Sequence, residues 1–234
     1  MKKNKLYYLV CDLLILIICF VVFFVAFKSN DPIFASNENK AIYNGNKNNK
    51  NVSLMINVYW GTEYMEDMMD ILLEKKASAT FFVGGSWTAM NTSMLQKICG
   101  NGFEIGSHGY SHLEHDKIDY QKNYDEIFTT HKIVKVLTGL DMSLFAPPSG
   151  AYNNTTLQAC KDLNYNTIMW SKDTIDWRDQ NPNLIFNRAT KNLQNGDLIL
   201  MHPTKATLTA LPNIIDTIQN EGFCLTTVSE NIFG

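Results

Sequence analysis

Several common functional signals are missing from this sequence of 234 residues. It has no CxxC pair, which argues against a zinc ribbon or a thiol redox motif. A net charge of −3 and the lack of a basic stripe disfavour a nucleic-acid partner. No glycine-rich phosphate loop follows the first apolar run, which disfavours a dinucleotide enzyme on an open sheet. Without internal repeats, this length predicts one domain with an appendage.

The five cysteines are isolated, and two of them lie in the apolar N-terminal stretch. Buried free thiols are the simplest interpretation, because cysteine behaves as a small apolar core residue. One disulfide is the alternative if the domain is exported. The cysteines are Cys11, Cys19, Cys99, Cys160 and Cys224.

Residues 6–27 form an almost continuous apolar stretch that only Asp12 interrupts. It matches the roughly 20 residues that a membrane span needs. Three lysines precede it, and because positive charge stays on the cytoplasmic side, we expect the rest of the chain outside the cytoplasm. The sequence therefore predicts a membrane anchor over residues 1–28. A signal peptide cleaved near Ala35 is the alternative.

Residues 29–51 are rich in asparagine and lysine and predict a flexible polar linker. The domain is expected at 52–234. There, short apolar runs alternate with helical patterns about seven times, which predicts an α/β fold with a parallel sheet. A distorted barrel and an open sheet both fit this periodicity.

Polar and aromatic residues follow most of the predicted strands at the point where each strand ends. In parallel α/β folds this edge gathers the chemistry, so we expect these side chains to share one site. They are Tyr59 and Trp60, His108 and His112, the stretch Pro147–Tyr152, Asp173 and Trp177, and His202.

His108 and His112 are four residues apart, and on a helical turn both would face one divalent metal. A chance pair is the competing interpretation. Asp173 either orients a neighbouring group or forms a loop turn, and Trp177 beside it suits a sugar ring. His202 ends a very apolar strand, where it is either a buried structural residue or a titrating group.

Four stretches resemble, in order, successive motifs of the polysaccharide deacetylase family, which is carbohydrate esterase family 4 with the nodulation-type chitooligosaccharide deacetylase domain. The segment between Tyr64 and Val83 is also similar to the family's segment after its first motif. The resemblance covers 52–234, and within the family the chain looks most like a divergent sporulation-associated group. The four stretches are Ser107–His112, Phe145–Tyr152, Asp173–Trp177 and Leu200–His202.

The resemblance implies a distorted (β/α) barrel and hydrolysis of N-acetyl groups on cell-wall or spore-wall amino sugars. It also implies a divalent metal, zinc above all, bound by His108 and His112. His202 matches the general acid, and Asp173 matches the carboxylate that tunes this histidine. The expected substrate-binding residues are Trp177 and Leu200 in the acetyl groove, Ser149 as a backbone oxyanion donor, and its neighbours Pro148 and Tyr152.

The first motif departs from the family's Thr-Phe-Asp-Asp-Gly, because this chain has Asn-Val-Tyr-Trp-Gly at 57–61. Tyr59 replaces the general base, and a phenol that keeps its proton is a poor base at neutral pH. Trp60 replaces a metal ligand, and indole offers only a donor N–H. The third motif has Ala146 where the family has arginine. Substitute ligands among Asn57, Glu63, His115 and Tyr59 stay open.

Two functions remain in competition on the sequence alone. The retained histidines favour a metal-dependent N-deacetylase. The loss of both first-motif aspartates favours a non-catalytic binder or scaffold for wall glycan.

Overall fold

The computed structural model describes residues 13–14 and 40–234 of the chain. Most of the predicted membrane anchor lies outside these residues, so it stays a prediction. Within the described part, no helix combines the length and apolar character needed to cross a membrane. The strands and helices given below belong to one unit, Ala35–Gly234.

The described strands are short, and the first is the longest. They are β1 (Asn51–Val58), β2 (Thr80–Val83), β3 (Glu104–Ser107), β4 (Leu144–Phe145), β5 (Asn166–Thr167), β6 (Lys172–Asp173), β7 (Leu198–Met201) and β8 (Cys224–Leu225).

Helices alternate with these strands. They are α1 (Met65–Glu74), α2 (Gly85–Met90), α3 (Thr92–Gly100), α4 (Tyr120–Thr138), α5 (Asn154–Asp162), α6 (Pro182–Thr190), α7 (Lys205–Asn220) and α8 (Val228–Phe233). The sequence patterns predict neither α2 nor α8. In the sequence, Gly85 at the start of α2 suggests a turn. In the structure it lets α2 lie close to α4, because a Cβ on Gly85 would lie 2.5 Å from Thr130 Oγ1.

Seven strands form a parallel sheet in the order β5-β4-β3-β2-β1-β7-β6, and β8 pairs with β1 beside this path. The sheet curls into a half-barrel. The predicted α/β fold with about seven parallel strands is thereby confirmed.

Side chains of β1 alternate between the two faces of the sheet, as a period of two requires. Leu54, Ile56 and Val58 pack in the large core under the helices. Met55 points to the other face and packs in a smaller interior cluster with residues such as Phe82 and Leu198. Asn57 shares the parity of Met55, so its side chain belongs to the interior of the half-barrel.

Helix α8 covers the amino end of this interior. Val228 is buried in the small cluster, and Ile232 packs against it. A hydrogen bond from Asn231 Nδ2 to Ser53 Oγ, 3.0 Å long, joins the helix to β1. The cavity described below therefore opens at the opposite, carboxyl end of the strands.

Residues 40–51, the described part of the predicted linker, pack on the domain, and Asn51 already begins β1. The amide of Ile42 donates to the carbonyl oxygen of Thr167 at 2.9 Å, and Gly45 donates to Gly196 at 2.7 Å. Ile42 also packs against the interior cluster. The polar composition of this segment does not indicate packing, because these contacts are backbone hydrogen bonds, which residues of any type can form. Residues 29–39 lie outside the described residues.

Candidate functional site

A cavity of about 430 Å³ lies where the strands finish, and most of the expected site residues line it. Trp170 was not expected there, and Asn57 was considered only as a metal ligand. The lining residues are Asn57, Trp60, His108, His112, Ser149, Trp170, Asp173, Trp177, Leu200 and His202. The side chains gathered by the strand-end argument thus meet in one place.

Three expected residues lie outside this lining. Tyr59 packs its ring 4.8 Å from that of His112, and its hydroxyl accepts a hydrogen bond from Ser86. Pro148 is buried in a 3₁₀ turn. Tyr152 shares a hydrogen bond with the hydroxyl of Tyr43, which raises the pKa of Tyr152 to about 12.

His108 is held in a fixed orientation directly after β3. Its Nδ1 donates a 2.7 Å hydrogen bond to the carbonyl oxygen of Ala146, so its Nε2 carries the lone pair. Burial, and secondarily the neighbouring His112, lowers the pKa of His108 to about 3. The ring is therefore neutral at physiological pH.

His112 reaches His108 through a loop and not through the helical turn that the spacing suggested. Its φ is 56°, in the left-handed region, and the loop bends back there. The two ring centroids lie 5.1 Å apart. Burial lowers the pKa of His112 as well.

Glu126 of α4 shapes this loop, and sequence reasoning missed it. Its buried Oε2 accepts hydrogen bonds from the amides of Tyr110 at 2.8 Å and Ser111 at 2.6 Å. Lys122 lies 3.2 Å from the other oxygen. A glutamate at a buried position of a helix is the signal that could have found it.

Trp60 covers the ring of His202. The two rings are parallel within 7°, and their centroids lie 5.6 Å apart. Gly61 allows this approach, because its φ of 78° is left-handed and a Cβ would lie 2.0 Å from the carbonyl oxygen of Pro203. The indole thus lies beside the ring of His202 in the cavity that both residues line.

Asp176 contacts His202, and the expectation that Asp173 does so is wrong. Asp176 Oδ1 lies 2.7 Å from His202 Nδ1, and Oδ2 accepts from the His202 amide at 2.6 Å. The chain turns at Ile175, whose φ is 52°, and this turn directs Asp176 inward. Asp173 lines the cavity and accepts from the Ile175 amide at 2.8 Å.

The other proposed ligands do not complete a metal site. His115 is absent from the cavity lining, and its Nδ1 pairs with Asn123 Oδ1 at 2.6 Å. Glu63 is exposed and also absent from the lining. Asn57 is 4% exposed, and its Oδ1 is buried without a hydrogen-bond partner.

The donors at the cavity do not fit the zinc site that the resemblance implies. Of the residues proposed as ligands, His108 and His112 offer two imidazole nitrogens and Asn57 one neutral carboxamide oxygen, whereas catalytic zinc takes three ligands whose oxygens come from carboxylates. Among residues 13–14 and 40–234, no group of three His, Cys, Asp or Glu is placed to hold a metal ion. Zinc binding stays a prediction.

Comparisons with known proteins identify this half-barrel and its site as a carbohydrate esterase family 4 scaffold. The family model for polysaccharide deacetylase matches residues 44–168. The chain belongs to the polysaccharide deacetylase family.

Individual relatives include enzymes and a pseudoenzyme. The uncharacterised protein YlxY of Bacillus subtilis is 36% identical over 81% of this chain, which spans 59% of that protein's length. A peptidoglycan-N-acetylglucosamine deacetylase of Bacillus cereus is 30% identical over 71% of this chain and 81% of its own length.

A solved structure of BA3943 from Bacillus anthracis, described as a carbohydrate esterase family 4 pseudoenzyme, is 32% identical. It superposes with a TM-score of 0.81 over 83% of this chain and 69% of that one. A mutant of the same protein is described as having restored enzymatic activity.

Proposed function

We propose that this chain is a catalytically impaired relative of the polysaccharide deacetylases that binds a cell-wall or spore-wall amino-sugar glycan. Its N-terminal stretch, residues 6–27, would attach it to a membrane with the domain outside the cytoplasm. The observation that carries the proposal is the indole of Trp60, which lies against the imidazole of His202 where the family has a metal ligand.

Catalysis is impaired because two roles are unfilled. Asp173 is the carboxylate that lines the cavity with His108 and His112, yet no group of three His, Cys, Asp or Glu among the described residues is placed to hold a metal ion. Tyr59 stands at the position of the general base, and its hydroxyl is engaged with Ser86. Removing a general base typically lowers the rate by about 10²–10⁴-fold.

Binding remains supported because the cavity offers aromatic faces. Trp60 is 43% exposed, and Trp177 is 54% exposed although both line the cavity. Trp170 adds a third indole to the lining. Sites for small polar ligands combine such apolar faces with a few polar groups, and the apolar face of a sugar ring suits them.

Calorimetric titration of the full chain with soluble glycan strands tests this proposal. Trp177→Ala is expected to weaken binding about tenfold, which is the usual loss of affinity when a central contact residue is truncated. Phe128→Ala, which removes an aromatic residue of similar exposure on α4 outside the cavity lining, is the matched control. Undetectable binding of the unmodified chain at millimolar glycan would contradict the proposal.

A metal-dependent N-deacetylase is the second candidate, and the contact between His202 and Asp176 favours it. A histidine oriented by a buried carboxylate can act as a general acid, and hydrolysis of an N-acetyl group uses such an acid to protonate the leaving amine. Acetate release from N-acetylglucosamine oligomers by the unmodified chain, above that of a His202→Ala variant, would establish this candidate. Equal release at every metal concentration would reject it.

A further inference from the structure

The charges that line the cavity have one sign. Asp173 is the carboxylate of the lining, which contains no lysine or arginine. The other carboxylate nearby, Asp176, is fully buried and already pairs with His202 and Thr207. Asp173 keeps one oxygen that makes no described hydrogen bond, since the Ile175 amide uses only Oδ1.

Cations of the surrounding loops are held elsewhere. Arg178 donates two hydrogen bonds to Asp179, at 2.8 and 2.9 Å. Lys172 donates to the carbonyl oxygen of Lys191 at 2.7 Å. Asp179, and more weakly Asp173, raises the pKa of Arg178, yet the described hydrogen bonds of Arg178 in this loop go to Asp179 and none goes to Asp173. A cation that hydrogen-bonds Asp173 inside the cavity would therefore come from a ligand.

Hydrogen-bond acceptors dominate the buried polar groups of the cavity. Asn57 Oδ1 is buried and has no partner. His108 presents the lone pair of Nε2, because its Nδ1 donates to Ala146. These acceptors and the carboxylate of Asp173 suit a ligand that brings several N–H donors. An ammonium group brings three donors and no acceptor, whereas an acetamide brings one N–H and a carbonyl oxygen.

Aromatic faces add to the same preference. Trp60 is a partly exposed indole in the lining, and indole is the side chain that attracts a cation most strongly. Trp177 already has the guanidinium of Arg178 over its ring, 5.9 Å from the centroid, so Trp60 is the indole that would meet a cation of the ligand. An N-acetyl group gains nothing from this attraction because it is uncharged.

We propose that the cleft prefers a de-N-acetylated amino sugar, whose protonated primary amine lies between Asp173 and Asn57, over the N-acetylated sugar. The preference rests on the proposed glycan binding and refines it. The chain would then recognise wall polymer on which a deacetylating reaction has already acted. The class of reaction that supplies its ligand is hydrolysis of an N-acetyl group.

Matched oligomers of glucosamine and N-acetylglucosamine, titrated separately into the full chain by calorimetry, test the preference. At mildly acidic pH, where the sugar amine is protonated, we expect the glucosamine oligomer to bind about tenfold more tightly, from one partly exposed ion pair and one cation–π contact. Added salt should reduce this ratio, since the ion pair is screened.

Asp173→Asn preserves the shape of the side chain and is expected to bring the ratio close to one. Asp67→Asn on α1 removes the same charge at an exposed position outside the cavity lining, and it should leave the ratio unchanged. A ratio that persists in Asp173→Asn would overturn the role given to Asp173.

The two levels of the proposal fail differently. If both oligomers bind equally, or the N-acetylated one binds more tightly, the preference is wrong while glycan binding stands. If neither oligomer binds at millimolar concentration, glycan binding itself fails and the preference fails with it.

Discussion

Replacing Trp60 by aspartate is expected to raise the affinity of the chain for Zn²⁺ about 100-fold or more. His108 and His112 lack a carboxylate partner, and an aspartate at position 60 would supply the third protein ligand of a catalytic-type zinc site. Loss of a residue that merely hydrogen-bonds to a metal ligand already changes metal affinity by about 10–100-fold, so a direct ligand should have at least that effect. Chelator competition measures the affinity. The melting temperature should also rise with added zinc, because the metal binds only the folded chain.

Trp60→Asn is the matched control for this gain. It removes the indole from the face of His202 but supplies no carboxylate, so it separates opening of the cavity from addition of a ligand. Zinc affinity should stay near that of the unmodified chain. Equal affinities in Trp60→Asp and Trp60→Asn would mean that His108 and His112 are not arranged to share a metal.

Asp176→Ala is expected to lower the free energy of unfolding by about 3–5 kcal/mol, since each buried group left without its hydrogen-bond partner costs about 1–3 kcal/mol. The side chain is fully buried and accepts three hydrogen bonds, from the His202 amide, His202 Nδ1 and Thr207 Oγ1. Its loss leaves these donors buried without an acceptor. Urea unfolding measures the change through the shift in midpoint.

Asp173→Ala is the matched control, because Asp173 is the carboxylate that the sequence indicated as the one that tunes His202. Asp173 is only partly buried and accepts one hydrogen bond, from the Ile175 amide, so we expect a loss below about 1 kcal/mol. Similar losses in the two variants would contradict the assignment of Asp176 as the support of His202. The two substitutions delete the same atoms three residues apart.

Sequence reasoning located the cavity because parallel strands place their carboxyl ends at one edge. His108, Asp173 and His202 are far apart in the chain, yet each lies at the end of a strand or directly after it, and all three line the cavity with His112. This inference needs only the order of the strands and no side-chain geometry.

Local backbone geometry was beyond the sequence patterns. Ile175 and His112 both adopt left-handed φ values, which branched or bulky residues rarely do, and no residue type announces them. The turn at Ile175 brings Asp176, and not Asp173, to His202. The turn at His112 replaces the expected helical turn with a loop. Glu126 escaped notice because its partners are backbone amides, which leave no motif.

Helix α8 has a consequence for how a long polymer can engage the protein. Val228 and Ile232 close the amino end of the half-barrel, so a strand of glycan cannot thread through it. On the proposed glycan binding, a polymer would instead lie across the opening, with one residue dipping toward Asn57. Recognition of this kind works at any position along a chain and needs no free end.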